Sequence, residues 1–237
     1  MRAAFISDIH GNLEALEVVL KYIDEHEIDR IYCLGDVVGY GPNPNECVDL
    51  VREKCRVVLM GNHDYAAIGR ANIDYFNEYA RRAAYWTMEQ LTDENHAYLT
   101  SLPFTHQNDE IIMLHASPTN PRHWYYVLSQ HEAKIEMNAF IQPLCFIGHS
   151  HVPVIFSESQ MFREEVFICV PGEKYIVNAG STGQPRDGNP NSCFAVFDDE
   201  KRQIEYIRLK YNIQKTHKKI IKAGLPHFLA ERLLKGY

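Results

Sequence analysis

The sequence has no apolar run near the ~20 residues a membrane-spanning helix needs. Its first residues run straight into a strand pattern, Ala3-Ala4-Phe5-Ile6, without the basic and apolar regions of a secretion signal, so the expected location is cytoplasmic. It lacks C-x-x-C spacing. The six cysteines, at positions 33, 47, 55, 145, 169 and 193, stand mostly in or beside apolar stretches, where thiols are expected to be buried and inert rather than paired or metal-bound. Positive charge is also in short supply. Lys and Arg number 24 against 31 Asp and Glu, a net charge of −7, which argues against a protein that coats nucleic acid by neutralising phosphates. Repeats, low-complexity tracts and linkers are absent, so residues 1–237 are expected to form a single domain.

What is there reads first as β-α-β-α-β. Leu13, Leu16, Val19, Leu20 and Ile23 recur at helical spacing, and Ile31–Leu34 and Val57–Met60 are short apolar runs suited to strands buried on both faces. Such alternation favours a largely parallel sheet. Residues 65–101 carry a helical pattern and form a possible cap. Later strand runs, from Ile111–Leu114 to Ile204–Leu209, are separated by short turns, and several are expected to be antiparallel. Residues 213–235 return to helical spacing. Their many lysines could face a membrane or nucleic acid, but Ile213, Ile220, Leu229 and Leu233 favour amphipathic helices packed on the body.

Five short motifs follow predicted strands, where an α/β sheet gathers its functional loops. They are Asp8-Ile9-His10, Gly35-Asp36, Gly61-Asn62-His63-Asp64, His115 and Gly148-His149-Ser150-His151. In extended backbone, residues two apart point to the same side, so each spaced pair is expected to reach one ion. Asp36 offers two oxygens, enough to bridge two cations, and Asn62 a neutral carbonyl oxygen. Carboxylates, an amide and imidazoles together form a donor set suited to Mn, Fe or Zn.

The series D-x-H, GD, GNH(D/E), H and GHxH resembles the signature of the calcineurin-like metallophosphoesterase superfamily. That resemblance implies an α/β fold, a two-layer β sandwich of mixed sheets flanked by helices, with a dinuclear centre at one sheet edge. It assigns Asp8, His10, Asp36 and His151 to one transition-metal ion. Asp36, as bridge, with Asn62, His115 and His149 would hold the other. His63 would be a catalytic side chain that neutralises the leaving group, while the two cations generate a bridging hydroxide and clamp the phosphoryl oxygens.

Protein serine/threonine phosphatases of this superfamily continue GD as GDxVDRG, whose Asp supports the catalytic His and whose Arg binds phosphate. Here the run is Gly35-Asp36-Val37-Val38-Gly39-Tyr40-Gly41, so both groups are missing. Asp64 is a candidate catalytic partner for His63, or a cap for the helix that follows. The stretches Gly39–Pro44 and Asn178–Arg186 instead resemble a bacterial and archaeal branch of small phosphodiesterases and dinucleoside polyphosphate hydrolases, with Ala179 where a proline is typical. The second stretch is expected to present backbone N–H groups near the metals.

Substrate contacts are expected from Tyr40, Asn43 and Arg186; Arg122, His123 and Trp124 also follow motif strands and can line the mouth, where an aromatic either stacks on a base or, the commoner case, packs the loop. The expected partner is a small phosphoester or nucleotide, not a membrane or a nucleic acid; oligomerisation stays open. A phosphomonoesterase or protein phosphatase, and a non-catalytic metal-binding scaffold, are the alternatives.

Overall fold

The computed structural model describes residues 1–237. The chain runs β1 (Arg2–Ile6), α1 (Leu13–Glu25), β2 (Arg30–Cys33), α2 (Pro44–Lys54), β3 (Val57–Val58), α3 (Asn62–Ala67), α4 (Glu78–Gln90) and α5 (Asp93–Thr100). It continues through β4 (Thr105–Gln107), β5 (Ile111–Leu114), α6 (Gln130–Glu136), β6 (Leu144–Ile147), β7 (Val154–Phe156), β8 (Met161–Phe162) and β9 (Val166–Ile168). The last elements are β10 (Tyr175–Asn178), β11 (Ser192–Asp198), β12 (Gln203–Leu209), α7 (Ile213–Lys222) and α8 (His227–Leu233).

The strands form two six-stranded mixed sheets, ordered β3-β2-β1-β11-β12-β9 and β4-β5-β6-β10-β7-β8. In the first, β1, β2 and β3 are parallel, and β11 lies antiparallel to β1 with Phe5 opposite Ala195. In the second, β5, β6 and β10 are parallel and β7 is antiparallel to β10. Phe5 stacks on Phe146 across the gap between sheets, in a core shared with Tyr175, Val177 and Phe197. Burying each such side chain contributes roughly 1.5–3 kcal/mol. On the outer face of the first sheet, α1 buries Leu16, Val19, Leu20 and Ile23, and the Asn12 side chain accepts the Ala15 N–H at its start. On the second, α6 places Ala133 against Cys145 and Ile147. The expected sandwich flanked by helices is present.

The segment 65–101 is not one helix. It is split into the end of α3, a single 3-10 turn at Ile73–Tyr75, and α4 and α5, with Asn77 and Thr92 capping the last two. Asx and hydroxyl caps restart the helix where periodicity alone reads through. Leu99 of α5 joins the core on this side of the first sheet, and α4 packs Ala80 and Ala83 against the C-terminal hairpin. The strand after α2 is shorter than its apolar run, only Val57–Val58, because Met60 N–H turns away to bond the Pro103 carbonyl. The C-terminal helices pack on the body as expected, burying Ile220, Leu229 and Leu233. All six cysteines are free, and five are buried.

Candidate metal centre

The motif residues leave the ends of β1, β2, β3, β5 and β6 and meet at one edge of the sandwich. Asp8, His10 and His151 present ligand atoms all within 4.8 Å of one another, as do Asp36, His115 and His149. A third trio, His10, Asp36 and His63, meets the same limit. His151 Nε2 lies 3.2 Å from Asp8 Oδ1, and His115 Nε2 lies 3.3 Å from Asp36 Oδ2. His10 Nε2 lies 3.7 Å from that same Asp36 oxygen, so Asp36 stands between the two groups.

The backbone that brings them there is not extended. Asp8 and His10 have φ of 53° and 51°, Asp36 53°, His149 67° and His151 60°. The two-residue spacing therefore does not work through a strand pleat, as the sequence reading supposed. Each pair converges because both members sit in the left-handed region, at a cost of roughly 1–2 kcal/mol per residue. Strain of this kind in non-glycine residues persists where surrounding contacts over-determine it, characteristically at functional sites. Here the contacts are backbone bonds between loops: Asp8 N–H to Gly35 O at 3.0 Å and His10 N–H to Asp36 O at 2.9 Å.

The imidazoles are oriented from behind. His10 Nδ1 lies 3.1 Å from Val38 O, His115 Nδ1 3.0 Å from Leu34 O, and His151 Nδ1 2.6 Å from Gln184 O. A carbonyl can only accept, so each Nδ1 carries the proton and each Nε2 presents a lone pair inward, the tautomer a metal ligand needs. His10 Nε2 and His151 Nε2 then face each other at 3.1 Å with a lone pair each. Such a contact is repulsive unless a cation lies between.

The donors fit metal ions on a second count. Asp8 Oδ1, Asn62 Oδ1, His115 Nε2 and His149 Nε2 are buried with no hydrogen bond of acceptable geometry. Orphaned buried polar atoms cost roughly 1–3 kcal/mol each, so four in one cluster call for a common partner. The electrostatics agree. Burial works against a charged His115, but Asp36 and Asp8 draw its pKa up to about 9, so a proton competes with a cation for the inward-facing Nε2. For Asp36 burial acts to raise the pKa, but His115 and His63 hold it well below the ordinary carboxylate value. The spot favours positive charge.

Close approach is built in by glycine. A Cβ on Gly61 would stand 2.1 Å from Asp36 Oδ1, and one on Gly148 would stand 2.5 Å from Asp8 Oδ2. Gly39 lies where the phosphatases have an aspartate, and its Cβ would meet His63 Nδ1 at 2.8 Å.

His63 is held beside the donor cluster. Its ring is buried among Tyr40, Phe76 and His10, with centroids 4.4, 5.1 and 4.9 Å away. Its Nδ1 has no partner, and burial pushes its pKa down to about 4 while Asp36 pulls the other way. Asp64 does not orient it. The Asp64 carboxylate accepts Val38 N–H at 3.0 Å and Gly61 N–H at 3.1 Å, closing the start of α3, so the capping role explains it.

Around the rim, Tyr40 packs edge-on against His10 at 4.7 Å, and the Arg186 guanidinium lies 5.9 Å from the Tyr40 ring. Asn43 is not available to a ligand: its amide nitrogen donates to Glu46 and its oxygen accepts from Lys219 at 2.8 Å, fixing α2 to α7. Arg122, His123 and Trp124 line a cleft of roughly 500 Å³ with Asn62, Tyr75 and Tyr125. The 178–186 stretch departs from expectation. Its N–H groups bond Ser7 O (Thr182), Asp8 O (Gly183) and Ser181 Oγ (Gln184) instead of facing a ligand, so it braces the Asp8 loop. Ala179, where proline is typical, donates its N–H to Ile147 O at 2.8 Å.

Sequence reasoning missed Gln184, whose carbonyl holds His151, and Asn178, whose amide bonds Gly148 O and Ser150 Oγ. It also missed Tyr126, stacked on His149 at 4.1 Å. Bonds made through main-chain atoms leave no residue-type signal, and Tyr126 belongs to no motif.

A family model described as the calcineurin-like phosphoesterase superfamily domain matches residues 1–202. A Sphaerobacter thermophilus metallophosphoesterase superposes with a TM-score of 0.91 at 41% identity, covering 100% of this chain and 99% of that one. An uncharacterized protein of Methanocaldococcus jannaschii is 41% identical over 98% of this chain and 97% of its own length. The Escherichia coli phosphodiesterase YfcE is 23% identical over 84% of this chain and 89% of its own. The chain thus belongs to the calcineurin-like phosphoesterase superfamily and is a metal-dependent phosphoester hydrolase.

Proposed function

We propose that the chain hydrolyses phosphodiester or phosphoanhydride bonds in a small, nucleotide-like substrate. In this reading Asp8, His10, Asp36 and His151 hold one transition-metal ion of the Mn, Fe or Zn type. Asp36, Asn62, His115 and His149 hold a second. The observation that carries it is the cluster of buried, partnerless donor atoms with their lone pairs facing inward. When bound, two such cations supply a nucleophile from water near neutral pH and neutralise phosphoryl oxygens.

The rest of the chemistry falls to the chain. Asp36 keeps one oxygen on the His63 N–H at 2.8 Å, which fixes the backbone of the residue nearest the leaving group. His63 offers its proton to the departing ester oxygen. Burial leaves this ring neutral at pH 7, and an incoming anionic phosphoryl group favours its charged form. Arg186, with its guanidinium 5.9 Å from the Tyr40 ring, takes a further phosphate oxygen in this reading, and Trp124 with Tyr75 and Tyr125 offers faces on which a base can stack. The named activity of the E. coli relative points the same way. Gly39 and Tyr40, standing where the phosphatases have Asp and Arg, weigh against a protein phosphatase.

The test is a substrate panel on protein purified without added metal and assayed by elemental analysis. About two first-row metals per chain are expected, with faster turnover of bis(p-nitrophenyl) phosphate or diadenosine tetraphosphate than of p-nitrophenyl phosphate. Activity that survives exhaustive chelation overturns the reading. So does a metal-loaded sample inert toward every phosphoester, which favours a non-catalytic scaffold.

A further inference from the structure

A proton donor has to be aimed, and the His63 ring has no hydrogen bond that aims it. Its Nδ1 is buried without a partner, and the Asp64 carboxylate is taken by Val38 N–H and Gly61 N–H. No side chain at position 39 can serve. The ring lies against the Gly39 backbone, where a Cβ would meet Nδ1 at 2.8 Å and Cγ at 3.0 Å. Asp36 Oδ1 accepts the main-chain N–H of His63 at 2.8 Å, which leaves the side-chain torsions free. Misplacing a reacting group by about 1 Å costs on the order of 10²-fold in rate, so something else must hold the ring.

The rings of Tyr40, His10 and Phe76 surround it, with centroids 4.4, 4.9 and 5.1 Å away. Phe76 ends a 3-10 turn and is partly exposed. Tyr40 is the nearest and the most firmly seated. It is only 7% exposed, which leaves little of its ring for a ligand to touch. Its φ of 59° is a conformation that an aromatic residue keeps only under constraint. The constraint comes from the C-terminal hairpin. Tyr40 shares one apolar cluster with Ile220, Leu225, Leu229 and Leu233, and with Ala80 and Ala83 of α4. Tyr40, His10, Ile220, Leu229 and Leu233 line a cavity of about 10 Å³, room for one water at most, so the ring has nowhere to retreat. The hairpin is tied down in turn. Glu14 pairs with Lys215 and Lys219, and Lys219 Nζ donates to Asn43 Oδ1 at 2.8 Å, three residues beyond Tyr40. The family match ends at residue 202, so α7 and α8 lie outside it.

We propose that Tyr40 is a positioning residue for His63: its ring, backed by α7 and α8, holds the imidazole by packing where no carboxylate reaches Nδ1. The inference rests on the phosphoesterase reading above and deepens it, since it names what aims the proton donor. Two aromatic rings in contact prefer a limited set of geometries, so a fixed Tyr40 ring restricts how the imidazole can turn. The aromatic face carries this role and the hydroxyl does not.

The experiment uses zinc-loaded full-length protein and two diesters that differ in the departing group, the dinucleotide thymidylyl thymidine and thymidine p-nitrophenyl phosphate. In Tyr40→Leu, kcat for the dinucleotide should fall roughly 10- to 100-fold, toward the loss in His63→Ala. KM, and kcat for the p-nitrophenyl ester, should stay within about threefold of wild type. Tyr40→Phe, which keeps the ring, should recover most of the loss. Independently of turnover, the His63 Cε1–H signal in NMR, assigned by its disappearance in His63→Ala, should show a nuclear Overhauser effect to the Tyr40 ring protons in wild type. That signal should keep its position in Tyr40→Phe and move toward the free-histidine value in Tyr40→Leu. Absence of the Overhauser contact, which needs no variant at Tyr40, overturns the proposal, as does an unmoved signal in Tyr40→Leu. Equal slowing of both esters, or a raised KM at unchanged kcat, also overturns it, the latter making Tyr40 a substrate contact. Wild type inert toward both esters removes the phosphoesterase reading instead, while the NMR comparison still decides whether Tyr40 holds the ring.

Discussion

Replacing His63 by alanine separates two roles that geometry alone leaves adjacent, since His63 lies within ligand distance of His10 and Asp36. The main-chain N–H of residue 63 holds Asp36 Oδ1 at 2.8 Å, and truncation of the side chain leaves that bond in place. His10 and His151 are held by carbonyls of Val38 and Gln184, neither of which contacts the lost ring through a hydrogen bond. The cation site should therefore survive. Loss of a general acid removes typically 10²–10⁴-fold in rate, about 3–5 kcal/mol of barrier. The loss should be greatest for a diester with a nucleoside alkoxide as leaving group and smallest for p-nitrophenolate, which departs without a proton. Turnover of both substrates is measured alongside metal content on the same preparation. Should His63→Ala lose one of its two metals, or slow both leaving groups equally, the acid role is wrong and His63 is a ligand or a structural prop.

Two further outcomes follow from packing and charge. Gly61→Ala puts a Cβ into Asp36 Oδ1 and N at 2.1 and 2.2 Å, so it should cost about 3 kcal/mol or more and weaken metal binding. Urea unfolding and metal titration together would show it; unaltered affinity counts against Asp36 as a ligand. Glu14 is buried, and although burial acts to raise its pKa, Lys219, Lys215 and Thr216 hold it below the ordinary glutamate value. A depressed folded pKa gives stability that is present above the unfolded pKa of about 4.3 and lost as pH falls through the folded value. Glu14→Gln should thus cost about 2 kcal/mol at pH 7. The gap to wild type should close as the pH falls below about 4, and a gap independent of pH in denaturant titrations contradicts this.

Much of the centre was legible in the sequence because ligation depends on residue type. Asp8, His10, Asp36, Asn62, His115, His149 and His151 could be named from their order after apolar runs; the structure groups six of them, and Asn62 lines a cleft with His149. The reason offered for the paired spacing was wrong, since no side-chain pattern announces that Asp8, His10, His149 and His151 adopt left-handed backbone. Asn43 and Asp64 looked functional by position and prove to be engaged in holding elements together.

By itself the sequence determined the donor set, the alternation of strands and helices, and the amphipathic C-terminal helices, all of which follow from local pattern and side-chain chemistry. Only the tertiary structure decided that β11 inserts beside β1 and that Gln184 and Val38 orient imidazoles through their carbonyls. Those facts depend on backbone groups and long-range pairing. Main-chain carbonyls are alike at every position, and contacts across two hundred residues leave no periodic trace along the chain.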